Sequence, residues 1–231
     1  MPRMIYLDYQ ATTPLAPEAR EAMLRWLEGP GEGDGFANPS STHKGGRAAA
    51  AAVEVARDQV SALLPKGGRV FFTSGATEAL NWALLRGAEL MPGGVAGLSI
   101  EHAASLQCLE RLHATVLPVD SEGVARPPDS ALIPENGIVV TMLVNNEVGT
   151  IQPVADFAAA AHEKNSLLLC DAVQGYGRVP IPESTDLIAI SAHKIHGPKG
   201  IGALWIRDGI DLPPLMFGGA QEQGMRSGTV S

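Results

Sequence analysis

Apolar residues fall along this chain in short unbroken runs, separated by longer stretches where they recur every three or four positions. An unbroken run predicts a strand covered on both faces, and the longer spacing predicts a helix with one buried stripe. The runs are Val70–Thr73, Val95–Ile100, Thr115–Val119, Gly137–Val144, Leu167–Cys170, Asp186–Ile190 and Gly200–Arg207, with a short extended piece at Met4–Leu7. Helices are predicted over Pro17–Leu27, Gly46–Leu64, from about Glu78 to Leu90, over Ala103–His113 and over Pro153–Lys164. The first carries Pro in its opening turn, and in the second Arg47, Glu54, Arg57 and Asp58 leave an apolar stripe. Asp8–Pro14 reads as a hydroxyl-rich loop, Gly29–Asn38 as a glycine-rich loop or lid, and Asp120–Asn136 as a polar surface crossing. Strands and helices alternate with no internal repeat, so the fold class is α/β: a mostly parallel sheet with helices on both faces. The last strand is read as closing that sheet in an antiparallel direction.

Composition narrows the classes. The chain has 231 residues, of which 45% are apolar, enough to bury a sizeable core. The net charge of −8, with no basic run, argues against a nucleic-acid surface. Cys108 and Cys170 both sit in apolar contexts and read as buried thiols, which fits a reducing cytoplasm. No stretch is long enough for a signal-peptide core or a membrane span.

Candidate chemistry gathers where strands stop. Open α/β sheets bind ligands at the carboxyl ends of their strands. That rule places Asp171 and Gln174, then Ser191, His193 and Lys194, at one crevice mouth. An amine beside an acid suits a pyridoxal phosphate site, which needs a Schiff-base lysine, an acid at the pyridine nitrogen and donors for the phosphate. Taken singly, Asp171 also reads as a helix N-cap and Lys194 as a solvated loop residue. Thr73-Ser74-Gly75-Ala76-Thr77-Glu78 likewise has two readings, an anion site at a helix start or a Ser/Thr cap; it lacks the Gly-Lys-Ser/Thr of a nucleotide-binding loop. Glu101-His102 and Asn145-Asn146 end two further strands.

Eight passages in order resemble the cysteine desulfurases of the class V aminotransferase group, NifS/IscS-like enzymes of pyridoxal phosphate fold type I. They are YLDYQATTP, FANPSSTHKGGR, FFTSGATEALNWA, EHAA, VNNEVGTIQPV, LCDAVQGYGRVPI, SAHKIHGPKGIGALWIR and GGAQEQGMRSGT. The resemblance implies an aspartate aminotransferase-like large domain over residues 16–231, an N-terminal arm over 1–15, and a small C-terminal domain outside this chain. It implies that Lys194 forms the Schiff base and moves the substrate's Cα proton, that Asp171 pairs with the pyridine nitrogen, and that Gln174 bonds the phenolic oxygen. His102 would stack on the ring and serve acid–base work, with Asn146 facing cofactor and substrate. Ala76 (through its backbone), Thr77, Ser191 and His193 would hold the phosphate, and Thr229 would reach the phosphate of a second subunit in a homodimer. No metal is implied.

The implied reaction takes L-cysteine to L-alanine and leaves sulfur on an enzyme cysteine as a persulfide, for iron–sulfur cluster or thio-cofactor synthesis through a sulfur-acceptor or scaffold protein. Neither Cys108 nor Cys170 matches the family's catalytic cysteine, which lies on a loop beyond the RSGT motif. The chain is therefore read as a fragment, against the alternative of a shortened homologue without activity. A selenocysteine lyase or another class V aminotransferase would use the same cofactor residues.

Overall fold

The computed structural model describes residues 5–27, 29, 35–126 and 130–231. In chain order the helices are α1 (Pro17–Leu27), α2 (Lys44–Ser61), α3 (Ala76–Leu90), α4 (Ala103–Arg111) and α5 (Val154–Glu163). The strands are β1 (Gly68–Thr73), β2 (Val95–Leu98), β3 (Thr115–Leu117), β4 (Ile138–Met142), β5 (Leu167–Asp171), β6 (Leu187–Ser191) and β7 (Gly202–Arg207). All seven form one sheet in the order β1-β7-β6-β5-β4-β2-β3. The pairs among β2, β3, β4, β5 and β6 are parallel, and β7 is antiparallel to both its neighbours.

The antiparallel direction of β7 follows from its connection. Residues 192–201 are too few for a crossover, which takes about a dozen residues or more. Its position differs from the sequence reading, because β7 lies inside the sheet, between β6 and β1, and does not close it. The run GALWIR is buried on both faces as an interior strand must be. Since β7 opposes both neighbours, β1 runs the same way as β6. The carboxyl ends of β1, β2, β4, β5 and β6 therefore share one edge of the sheet.

Each face carries a core. Phe157, Ala161, Val139, Leu168, Ile188 and Trp205 pack on one side. Trp82, Leu84, Leu109, Val140, Leu169 and Leu204 pack on the other. Residues alternate between these cores along β4 and β5, so helices do cover both faces, with α5 on one and α3 and α4 on the other. α1 stands apart and buries no residue.

Several boundaries move. Ile5–Leu7 have no regular secondary structure, and Met4 lies outside the described residues, as do residues 30–34 of the glycine-rich loop. α2 starts at Lys44, ahead of its two glycines, because His43 caps it: Nδ1 accepts from the Gly46 N–H at 3.2 Å. β2 stops at Leu98 and β4 at Met142, each sooner than its apolar run. Asn145 turns the chain after β4, accepting from the N–H groups of Glu147 and Val148 at 2.8 and 2.9 Å.

Candidate active site

The shared strand edge opens into a cavity of about 840 Å³. Of the residues singled out in the sequence, Ala76, Thr77, His102, Asn146, Asp171, Gln174, Ser191, His193 and Lys194 all border it. They arrive on separate strand ends: Thr77 after β1, His102 after β2, Asn146 after β4, Asp171 and Gln174 from β5, and Ser191 and Lys194 from β6. Thr229 does not border the cavity; it is exposed on the C-terminal loop.

Register explains how the β1 loop meets the β6 loop, although more than a hundred residues separate them. Gly202 at the start of β7 pairs with Thr73 on one side and with Ser191 on the other. A Cβ on Gly202 would lie 2.6 Å from the Ile190 carbonyl oxygen and 2.7 Å from the backbone of Gly75. Glycine is thus required there for close approach.

The β1 end forms an anion cradle. The first N–H groups of α3 have no intrahelical partner, and its N-cap, Gly75, offers no side chain to meet them. A Cβ on Gly75 would meet nothing within 4 Å, so the space over the helix start is open. The Ser191 hydroxyl, buried at the same rim, has no hydrogen-bond partner among the described residues. Positive helix-end potential, unspent N–H groups and a hydroxyl are the makings of a phosphate site. Glu78 in that first turn does not spoil it, because Arg226 Nε bonds its Oε1 at 2.8 Å.

At the other end of the cavity Lys194 Nζ donates to the carbonyls of Gln10 and Ala11, the latter at 3.1 Å. Burial pulls its pKa down, assisted by Arg178, against the carboxylates of Asp171, Asp8 and Glu147. Asp171 accepts the Val173 N–H on Oδ1 at 3.0 Å. Its pKa is raised by burial, while the Val173 N–H, His102 and Lys194 draw it back. His102 caps α4: Nδ1 accepts from the Ala104 N–H at 3.1 Å, which leaves the proton of the neutral ring on Nε2. Burial and the neighbouring Lys194 and Lys199 hold the His193 imidazole below its usual range.

The sequence reading missed one wall. Gln10, Ala11 and Thr12, from the loop DYQATTP, border the cavity alongside Asp8. Gln174 Nε2 donates to the Gln10 carbonyl at 2.9 Å, His193 Nδ1 meets Thr12 Oγ1 at 3.1 Å, and Thr13 Oγ1 donates to the His193 carbonyl at 2.8 Å. The only available signal was the hydroxyl content of that loop; its docking partner lies about 180 residues away. Ser74, Glu78 and Lys199 also border the cavity.

Both cysteines are out of reach of such chemistry. Cys108 and Cys170 are free and buried. Burial raises both thiols, Cys170 most strongly with Asp171 and Glu101 adding to the rise, so neither is poised as a thiolate. Among the described residues no cluster of His, Cys, Asp or Glu suits a metal ion, and no helix is long and apolar enough to cross a membrane.

Comparison with known proteins agrees with this geometry. "Cysteine desulfurase IscS" of Dictyoglomus turgidum is 42% identical over 243 residues, covering 99% of this chain and 60% of that protein. Thus the chain spans about three fifths of the length of that curated relative. A solved NifS-like protein superposes with a TM-score of 0.88 at 38% identity, over 98% of this chain and 65% of that one. SspA, solved in complex with cysteine, gives 0.85 at 34% identity, over 97% and 68%. Residues 5–229 match the family described as Aminotransferase class-V, and the chain belongs to that family.

Proposed function

We propose that this chain is the cofactor-binding part of a pyridoxal phosphate-dependent cysteine desulfurase, which takes L-cysteine to L-alanine and hands the sulfur to a cysteine thiolate. The observation that carries the reading is the convergence of Lys194, Asp171 and the open start of α3 on one cavity. An amine of lowered pKa, a buried acid and an anion cradle fit an aldehyde that bears a phosphate and a basic ring nitrogen.

Ala76, Thr77, Ser191 and His193 would hold the phosphate, and Lys194 would hold the aldehyde carbon through Nζ. When bound, the cofactor supplies an electron sink for bonds broken at the substrate's α-carbon. Asp171 would keep a proton on the ring nitrogen. Burial favours the neutral Lys194 amine, the form that can take up a proton from the substrate's Cα. His102, with Nδ1 engaged in capping α4, would present Nε2–H to the ring and the substrate. Asn146 would face both, and Gln174 would meet the phenolic oxygen from its anchor on Gln10.

Because Cys108 and Cys170 are buried, the acceptor thiol comes from neither. In this reading residues 16–231 form the large domain and residues 1–15 an arm, and Thr229 on its exposed loop reaches the phosphate of a second subunit. Two free thiols suit a cytoplasmic, reducing setting, and a sulfur-acceptor protein serving iron–sulfur assembly is the partner class. The names of the relatives support the substrate assignment.

The test is covalent trapping. Borohydride reduction of protein loaded with pyridoxal phosphate, followed by peptide mass analysis, should place the pyridoxyl group on Lys194. Lys194→Ala should lose both the adduct and the visible absorbance. Labelling of another lysine, or none, sinks the reading. Release of alanine from L-cysteine, without a keto-acid requirement, separates desulfuration from transamination.

A further inference from the structure

Glu101 is 4% exposed and does not border the cavity, yet it sits directly behind it. β2 ends at Leu98, with Gly97 opposite Val140, so Met142 on β4 lies past the last strand residue on that side. Glu101 takes over as acceptor: its Oε1 receives the Met142 N–H at 2.7 Å. Met142 is in turn the register partner of Asp171. The other carboxyl oxygen, Oε2, is buried with no hydrogen-bond partner among the described residues. No ion pair joins Glu101 to a Lys, Arg or His there. A carboxylate in that position would be a dry, unpaired charge beside a second carboxylate, which is the costliest arrangement open to it.

We propose that Glu101 is a neutral carboxylic acid, a positioning residue that fixes the end of β4 and leaves the negative charge of the Glu101–Asp171 pair on Asp171. The groups around it agree. Burial raises the Glu101 carboxyl well above the usual range, and the charge on Asp171 raises it further. Asp171 has His102 and Lys194 to draw its own pKa down, whereas Glu101 has the Met142 N–H. The Cys170 thiol on the same strand is held neutral. One carboxylate, aimed at the cavity, is then offered to a ring N–H, backed by a second acid that adds shape and no charge. The role given to Asp171 rests on the proposed function; the protonation of Glu101 does not.

Two measurements on cofactor-free protein test it. Infrared spectra in water and D2O should show the C=O stretch of a protonated carboxyl at neutral pH. That band should disappear in Glu101→Gln and persist in Asp171→Asn. Its absence, or its loss in Asp171→Asn with retention in Glu101→Gln, overturns the assignment. The second measurement is thermal unfolding against pH. A folded pKa above the unfolded one gives stability that is full below about pH 4.5, the ordinary value for Glu, and drains away as pH rises. Glu101→Gln, which keeps the acceptor and cannot ionise, should match the wild type near pH 4. It should gain on the wild type progressively toward neutrality. Glu101→Ala, which strands the Met142 N–H, should melt several degrees lower throughout. A Gln variant that falls as far as the Ala variant at neutral pH refutes the neutral acid. If the infrared band is present but added pyridoxal phosphate leaves the wild type colourless, the cofactor reading fails and the Glu101 assignment stands.

Discussion

Replacing Glu222 by Ala should cost far more than removing an ordinary surface carboxylate. Glu222 lies on the C-terminal loop with a side chain 1% exposed, and Arg57 on α2 faces it at 10%. The guanidinium makes two bonds, at 2.7 and 2.8 Å, to the two carboxylate oxygens. Both residues also serve β1, whose outer edge has no neighbouring strand among the described residues. Arg57 donates to the Val70 carbonyl at 2.8 Å, and Glu222 accepts the Phe72 N–H at 2.8 Å. The pair thus satisfies an open sheet edge as a further strand would. Losing Glu222 orphans the Phe72 N–H and leaves the buried guanidinium with the more exposed Glu54 carboxylate, at 3.2 Å, as its ion-pair partner, a loss of up to about 3–5 kcal/mol. An apolar replacement of both, Arg57→Met with Glu222→Leu, removes the stranded charge but orphans Val70 and Phe72, and should remain about 1–3 kcal/mol below the wild type. Urea unfolding with matched m-values reads both quantities. A loss below about 1 kcal/mol for Glu222→Ala would mean that the pair behaves as an exposed one, and the edge-capping argument would be wrong.

Gly202→Ala drives a methyl into the Ile190 carbonyl and the Gly75 backbone. It should cost about 1–3 kcal/mol as overpacking, and should weaken inorganic phosphate binding measured by calorimetry because the β1 loop is displaced; unaltered stability would show that the strands part freely. The Glu78–Arg226 pair gives an acid-sensitive term. Burial raises Glu78, but bonds from Arg226 and Ser74 outweigh it, so its pKa ends below the ordinary 4.5. Its stabilisation is therefore complete above about pH 4.5 and is lost as pH falls through the depressed value. Arg226→Ala should lower the melting temperature at pH 7 and flatten the decline below pH 5; parallel curves for variant and wild type would dismiss the pair as a contributor.

Much of the site could be read from local pattern. Buried strands announce themselves as unbroken apolar runs, and the first polar residues beyond each run must emerge at a strand end. That is why the sequence pattern sets Asp171, Ser191, Lys194, His102 and Asn146 at one mouth. The same local logic failed at β2 and β4, whose apolar runs outlast their pairing, and at α2, where a histidine cap precedes the helix-breaking glycines.

Sequence alone determined the alternation of strands and helices, the two-sided core and which polar residues follow each strand, since each depends on neighbours within a few positions. Tertiary structure decided the insertion of β7 between β1 and β6, and with it the meeting of the Gly75 loop with Ser191. It also decided the docking of Gln10 and Ala11 over Lys194 and of Thr12 against His193, the Arg57–Glu222 clasp and the burial of Glu101 behind Asp171. Each of those joins residues far apart in the chain. Their energies come from desolvation and register, quantities that exist only once the sheet has formed.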